Sequence, residues 1–508
     1  MASGFEMKKY CASLLFLAAS LAVVSAQTNA PAVRAMSLSD CLNEALRHNF
    51  DVQVERYEPA KALLNLNAAY AGYDPTFSLS GTHSHNNLGF ETGVYGTFPN
   101  ISDGNTFSSG LTGSLPWGMT YGLTGNVSEN YGLSYPSSVL SSGNYDSSSG
   151  RVGVNGRQPL LKNFWIDGTR LLISAAKNNL KLSEQGLRQQ LITTVTAVEN
   201  AYYGLIYARE NLKVQQQALA LAEKQLADDK SRVNIGTVAA AGGTIEQDEA
   251  QVAQNHANLI AAQFTLATDE NALKNLITDN YREWHDTAIE PAATLEAVRQ
   301  LFDVQDSWGK GMTLRPDLAQ AKVNVEQQGI QLKYDRNQLF PQLDLTGSYG
   351  YNGAGREFNE ALGQYATANR PYYTYGAEFS IPLSSTKARN SIKANKAAEQ
   401  QLLLKLKQLE QNVMVQIDNG VKQAQAAWES VDATQKARTY AEAALKAEQG
   451  KYAVGKSTTF TVLQLQNNLT AARSQEIRSL ANYNKALANL AQQEGSTLER
   501  RKVDLRVK

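Results

Sequence analysis

The sequence predicts an α+β membrane protein in which a β-barrel wall is continued by very long antiparallel α-helices. Three observations lead there. Proline, glycine and tyrosine are segregated along the 508-residue chain. Two proline-free stretches are long enough for helices of roughly 100 Å at 1.5 Å per residue. An export signal precedes both.

Residues 1–26 have the form of that signal. Lys8 and Lys9 stand ahead of an apolar run from Ala12 to Val24, followed by the small residues Ser25 and Ala26. The run is shorter than the roughly 20 residues a spanning helix needs. Cys11 sits at the front of the run rather than after it, so a lipid-anchored cysteine is not expected, and removal of the signal leaves Cys41 as the one cysteine. Neither an internal disulfide nor a Cys-rich metal site can then form.

None of the 12 prolines lies in 160–290 or 383–508, which read as helix. Of the 36 glycines and 23 tyrosines, 21 and 11 fall in 76–160 and 340–385, which read as strand and turn. In the second of these windows Leu343, Leu345, Gly347, Tyr349 and Tyr351 alternate with Gln342, Asp344, Thr346, Ser348 and Gly350. Tyr373, Tyr375, Ala377, Phe379 and Ile381 alternate with Thr374, Gly376, Glu378 and Ser380 in the same way. Such strands suit a half-buried soluble sheet or a barrel wall with lipid on one side and water on the other. The export signal and the terminal tyrosines, suited to a membrane interface, favour the barrel.

The helical stretch from 386 to 454 contains only Gly420 and Gly450 as weak points. Leu402, Leu406, Leu409, Val413, Ile417, Val421, Ala424, Trp428 and Val431 recur at steps of three and four and mark one continuous face. No compact core accommodates such a length, which implies a coiled coil, a bundle or a tunnel wall. Alanines on other stripes, such as Ala218, Ala222, Ala441 and Ala444, permit close helix approach.

The chain also repeats itself. Asp51, Pro75, Phe77, Leu79 and Gly81 correspond to Asp317, Pro341, Leu343, Leu345 and Gly347 at one offset, and Arg170, Ile173 and Gly236 to Arg389, Ile392 and Gly455 at a smaller one. The first repeat, 27–278, is expected to hold a helix at 39–73, strands at about 75–160 and helices at about 168–235 and 244–278. The second, 313–492, holds a helix at 313–339, strands at about 341–383 and helices at about 386–454 and 458–492. Residues 279–312 lie between the repeats, and 493–508 form a tail. Pro75, Pro159, Pro341 and Pro382 mark the changes between strand and helix, where a residue without an N–H breaks the regular ladder.

Four stretches carry a resemblance to a known family: Leu314-Arg315-Pro316-Asp317-Leu318, Leu339-Phe340-Pro341-Gln342-Leu343, Phe379-Ser380-Ile381-Pro382-Leu383 and, most specifically, Tyr452 through Ala472. In order and spacing the sequence resembles the TolC-like outer-membrane efflux and secretion channels over nearly the whole mature chain. The resemblance implies a homotrimer with one shared β-barrel, one α-helical barrel in the periplasm, and a small mixed equatorial domain from 279–312 and the tail. A few strands from one chain cannot close a barrel, and open edges cannot face lipid, which independently requires several chains.

By the same resemblance, Ile235, Gly236 and Thr237, and Val454, Gly455, Lys456, Ser457 and Thr458, are helix-hairpin tips that meet a periplasmic adaptor. The bare reading is a pair of helix turns closed by glycine. The family's best-known member has entrance aspartates where this chain has Thr461 and Gln464, which puts an acidic ring in doubt. Asp248 and Glu249 are candidates to replace it, and Ala239–Gly243 is an insertion in that tip. A second departure is an added hairpin, Ser109–Leu115 and Thr120–Val127 around Pro116-Trp117-Gly118. If it joins the wall, each chain gives about six strands and a trimer 18 in place of 12; as a surface loop it leaves 12.

No nucleophile–base signature, phosphate loop or HExxH occurs, so no enzyme and no cofactor is expected. Gly353-Ala354-Gly355 reads as an isolated loop glycine pair. His83 and His85 fall on one strand face without enough neighbours to complete a metal site. Arg500-Arg501-Lys502 reads as a surface charge run. With 48 cationic and 48 anionic residues, nothing favours nucleic acid as a partner. A mean hydropathy of −0.37 excludes a helical multispan protein but not a barrel. The expected function is a passive outer-membrane exit duct for small-molecule efflux, partnered by an adaptor, an inner-membrane pump and outer-membrane lipid. A type I protein secretion duct and a periplasmic coiled-coil scaffold are the alternatives.

Overall fold

The computed structural model describes residues 33–93, 96–134, 143–234 and 244–503. The expected signal at 1–26, the tip residues Ile235, Gly236 and Thr237, the Ala239–Gly243 insertion and the last tail residues lie outside them.

A short strand β1 (Val33–Met36) leads into α1 (Leu38–His48) and α2 (Phe50–Tyr70). The sequence reading of one helix over 39–73 is corrected here. Asn49 takes an extended conformation, ends α1, and caps α2 by accepting a hydrogen bond from the Val52 amide at 3.2 Å. An Asn at this position competes with the helix for its own backbone and so favours a cap over a helix interior. After a 3₁₀ turn, four strands follow: β2 (Thr76–Gly93), β3 (Gly96–Ser114), β4 (Thr120–Ser134) and β5 (Gly143–Pro159). Next come α3 (Gly168–Asn234), α4 (Thr244–Ile277), a one-turn α5 (Tyr281–Trp284) and β6 (Ala288–Pro291). The remaining elements are α6 (Val304–Leu314), α7 (Pro316–Asn337), β7 (Gln342–Gly355), α8 (Phe358–Thr367), β8 (Pro371–Ser380), α9 (Thr386–Ala453), α10 (Thr459–Glu494) and α11 (Thr497–Arg500). The expected helix at 313–339 is likewise two helices, broken at Arg315, where Pro316 opens α7.

Two sheets form. β1 pairs in parallel with β6. The other sheet has six antiparallel strands in the order β2-β3-β4-β5-β7-β8, so the hairpin around Trp117 belongs to it and is not a surface loop. Its turn is closed by the Leu115 amide donating to the Met119 carbonyl at 2.7 Å, with Gly118 at φ +90. β7 follows β5 in the sheet although about 180 residues of helix separate them in the chain, because the helices leave the sheet and return to it.

With 67 and 68 residues, α3 and α9 are each about 100 Å long. α3 packs against α4, α9 against α10, and α10 against α3. The core has three parts along this bundle. One lies where α1, mid-α3, the end of α4, β6 and Leu498 meet around Tyr202, Leu205 and Ile289. The second joins α7, α9 and α10 around Leu318, Ile417 and Tyr483. The third, small, holds Leu445, Val462 and Leu469 near the far ends of α9 and α10. Among the described residues no helix is long and apolar enough to cross a membrane.

Ile417 is fully buried, and the missing Cβ of Gly311 is what lets α6 approach it. Ile417→Ala is expected to cost about 2–4 kcal/mol through the cavity it leaves. The measurement is faster amide exchange in α6 and mid-α9 with the six-stranded sheet unchanged.

Candidate functional site

The six-stranded sheet separates polar from apolar residues by face. One ladder row runs Phe77, Leu111, Leu123, Val154, Tyr349 and Tyr373 across all six strands. Every one of these side chains is exposed or nearly so, from 36% for Leu111 to 71% for Tyr373. The adjacent row, on the other face, runs Thr76, Thr112, Gly122, Asn155, Ser348 and Thr374. An apolar face left uncovered over the whole width of a sheet is unstable in water and suited to lipid. A strand crosses the hydrocarbon with about 9–11 residues, fewer than most of these strands contain.

The polar face carries charge. Arg157 forms an ion pair with Asp344, its Nε 2.8 Å from Oδ2, and Gln342 donates to the same oxygen at 2.7 Å. Arg151 donates to Asn352 at 3.3 Å and stacks over the Tyr372 ring at 4.6 Å. Pro75 and Pro341 immediately precede β2 and β7, Pro159 ends β5, and Pro382 follows β8. Around these junctions Trp117, Phe164, Trp165, Phe340, Ile381 and Leu383 are exposed, as at the edge of a bilayer.

α8 was not expected from the sequence, which gave only strand between 341 and 383. It lies against β4, β5 and β7 on the apolar face, with Phe358 edge-on to Phe107 at 5.4 Å. Gly353 and Gly355 therefore are not loop glycines. They end β7 directly beneath α8, where a Cβ on Gly353 would fall 2.2 Å from the Ala361 carbonyl oxygen. On the neighbouring strand a Cβ on Gly150 would collide with the Tyr365 hydroxyl. His83 and His85 share a strand face, as the spacing implied. His85 Nδ1 lies 2.6 Å from Asp103, and His83 Nδ1 lies 2.8 Å from Asn105 Oδ1. No cluster able to hold a metal ion is found among the described residues.

At the far end of the bundle, Gly455 takes φ +75 beyond the end of α9, and the Lys456 amide donates back to the Lys451 carbonyl at 2.9 Å. Glycine accepts this left-handed conformation without strain, which closes the helix. Ser457 donates to Glu448 at 2.6 Å, and Thr458 caps α10, accepting from the Thr461 amide at 3.3 Å. Val454 and Gln464 are exposed and Thr461 half-buried. Glu249 pairs with Lys230 at 2.9 Å. Asp248 does not offer the exposed carboxylate proposed for the entrance. It is 1% exposed and turned toward Asp229 between α3 and α4.

Asp229 was missed in the sequence. It accepts hydrogen bonds from Tyr452 at 2.6 Å, Gln225 at 2.9 Å and Thr459 at 3.1 Å, so it joins α3 to α9 and α10. Nothing in the local pattern of a charged helix distinguishes it from its exposed neighbour Asp228. A crevice of about 630 Å³ between α3, α4 and α10 is lined by amide side chains, among them Asn211, Gln215, Gln251, Asn255 and Asn467. This is a wetted wall without a nucleophile or general base.

A family model described as outer membrane efflux protein matches residues 123–278 and 312–496. The match begins within β4 and leaves β2 and β3 outside it. The pyoverdine export outer membrane protein OpmQ of Pseudomonas aeruginosa is 24% identical over 327 residues, 62% of this chain and 64% of that one. The outer membrane efflux protein BepC of Brucella suis is 24% identical over 329 residues, 64% of this chain and 67% of its own length. The match with OpmQ thus spans less than two thirds of that relative. Among solved structures, the CmeC outer membrane channel of Campylobacter jejuni superposes with a TM-score of 0.66 at 13% identity, covering 93% of this chain and 90% of that one. VceC of Vibrio cholerae gives 0.64 at 17% identity, over 90% and 96%. The structures speak for the fold, and the family model, which takes in all four long helices and four of the six sheet strands, for the kinship. The chain belongs to the outer membrane efflux protein family, a family of bacterial outer-membrane channels and not of enzymes.

Proposed function

We propose that three copies of this chain close their sheets edge to edge into one barrel, and that the assembly is a passive exit duct for small molecules. Six strands per chain give eighteen in the closed wall. The observation that carries this reading is the uninterrupted row of exposed apolar residues from Phe77 to Tyr373, backed by a polar row and continuous with helices of about 100 Å. The edges β2 and β8 have unpaired backbone groups, which hydrocarbon does not satisfy, and a neighbouring copy supplies the partner. The long helices then extend the passage into the periplasm, with 279–303 and the tail as a belt. The turn at Val454–Thr458, together with Ile235–Thr237, meets a periplasmic adaptor joined to an inner-membrane pump, which supplies the energy. The name of BepC, an efflux protein, supports efflux over protein secretion.

The test is direct. Outer-membrane fractions should contain a heat-modifiable trimer that gives single-channel conductance in planar bilayers. A soluble monomer without conductance overturns the proposal. Within this reading, Asp344→Ala leaves Arg157 and Arg151 without the carboxylate that offsets them on the polar face. The variant channel is expected to shift toward anions, seen as a displaced reversal potential under a salt gradient, and more strongly at low ionic strength.

A further inference from the structure

We propose that Asp248 and Asp229 share a single proton in a joint that ties together the tips of α3, α4, α9 and α10, and that loss of this proton loosens the tips. Both side chains are sealed within one chain: Asp229 is 0% and Asp248 1% exposed. Asp229 is held as an acceptor by three donors, the hydroxyls of Tyr452 and Thr459 and the amide of Gln225. Asp248 is the opposite case. Neither of its oxygens receives a hydrogen bond, and both are out of contact with solvent. A buried carboxylate without a donor takes up a proton from water. Once protonated, the Asp248 hydroxyl donates to the Asp229 carboxylate, and both residues are satisfied. Removing the proton returns it to water and leaves two anions facing each other in a site that water does not reach.

The surrounding charges leave this balance to the pair. On α3, Arg232 lies over the Tyr452 ring at 4.7 Å, and Lys230 is engaged by Glu249 of α4. Glu246, also on α4, is exposed. On α9, Glu448 is held by Lys451 at 2.8 Å and Ser457, and the Tyr452 phenol is pushed up by burial and by its bond to Asp229. α10 brings the Thr459 hydroxyl and no charged residue before Arg473. Neither carboxylate is in a salt bridge among the described residues. Burial first, and then the facing charge of Asp229, push the Asp248 carboxyl up to about 7. Because its value in the folded chain is raised, the joint's contribution to stability is complete below the ordinary carboxyl value of 3.8 and is lost as pH rises through about 7.

That loosened tips widen an entrance rests on the proposed function; the joint itself does not. The experiment uses the full chain in lipid nanodiscs, compared with Asp248→Asn. Infrared difference spectra should show a protonated-carboxyl stretch in the unmodified protein that disappears with a midpoint of about 7 and is missing from the variant. The buried Asp269 carboxyl, also pushed up, is common to both and cancels. Over the same range, amide exchange at the ends of α3 and α10, corrected for intrinsic rates, should rise in the unmodified protein and stay flat in Asp248→Asn. Identical spectra, or a rise that the variant retains, overturns the proposal. If Asp248→Asn does not fold, Asp229→Asn takes its place and should also abolish the step; a step that persists overturns the proposal. A titrating joint with pH-independent conductance upholds the joint and counts against the entrance reading.

Discussion

Gly353→Val is expected to drive α8 off the sheet. The Cβ built on Gly353 lies 2.2 Å from the carbonyl oxygen of Ala361 and 2.8 Å from the Tyr365 ring, so neither a rotamer change nor a small shift relieves the clash. Overpacking of this kind costs about 1–3 kcal/mol when the surroundings can yield. Here the obstruction is helix backbone resting on a ladder of strands, so the upper end of that range applies. The helix holds its place through the Phe358–Phe107 contact and the Tyr365 hydroxyl, which donates to the Asn126 carbonyl at 2.9 Å. The result should be protease cleavage between 356 and 370 and a lower temperature for the loss of heat-modifiable species. Gly363→Ala on α8 itself meets nothing within 4 Å and should leave both readouts unchanged or slightly improved. If both variants behave alike, α8 is not seated on these glycines.

This helix also marks a limit of what the sequence displays. The faces of the sheet were readable because period-two alternation is imposed by the bilayer on every strand, and the alternation in 342–351 and 373–381 carried it. The long helices were readable because proline is excluded from them. α8 was hidden between two strands because ten residues with a single buried alanine give no periodic stripe. Its support comes from glycines on β5 and β7, about 200 residues apart, and only pairing in the sheet brings them together. The same reasoning covers the helix tips. The turn at Gly455 announces itself by its glycine, whereas the Asp229–Asp248 contact depends on the register of α3 against α4, which no local pattern fixes. The break at Asn49 was legible in principle, since Asn followed by Asp and a valine three residues on is a cap signal, but an amphipathic stretch continuing on either side concealed it.

The tail gives the second large effect, and it reverses the sequence reading of a solvated charge run. Arg501 is paired with Glu199 on α3, which is 1% exposed, and Arg500 donates to the Leu487 carbonyl at 2.9 Å. Only Lys502 is left pointing outward. Arg501→Ala therefore does not remove a surface charge; it strands a buried carboxylate whose second oxygen already lacks a partner. Removing one member of such a pair costs about 3–5 kcal/mol, because the remaining charge has lost its compensation while still out of water. The loss spreads locally, since α11 behind Arg501 inserts Leu498 into the same core as Tyr202 and Val198. The expected result is early exchange of α11 and the middle of α3 and a lower melting midpoint, with Lys502→Ala within about 0.5 kcal/mol of the unmodified chain. Glu199→Leu combined with Arg501→Leu should recover most of the loss, because replacing both charges with apolar groups removes the desolvation penalty along with the attraction. If the double variant is as unstable as Arg501→Ala, the tail is held by packing alone and the ion pair contributes nothing to it.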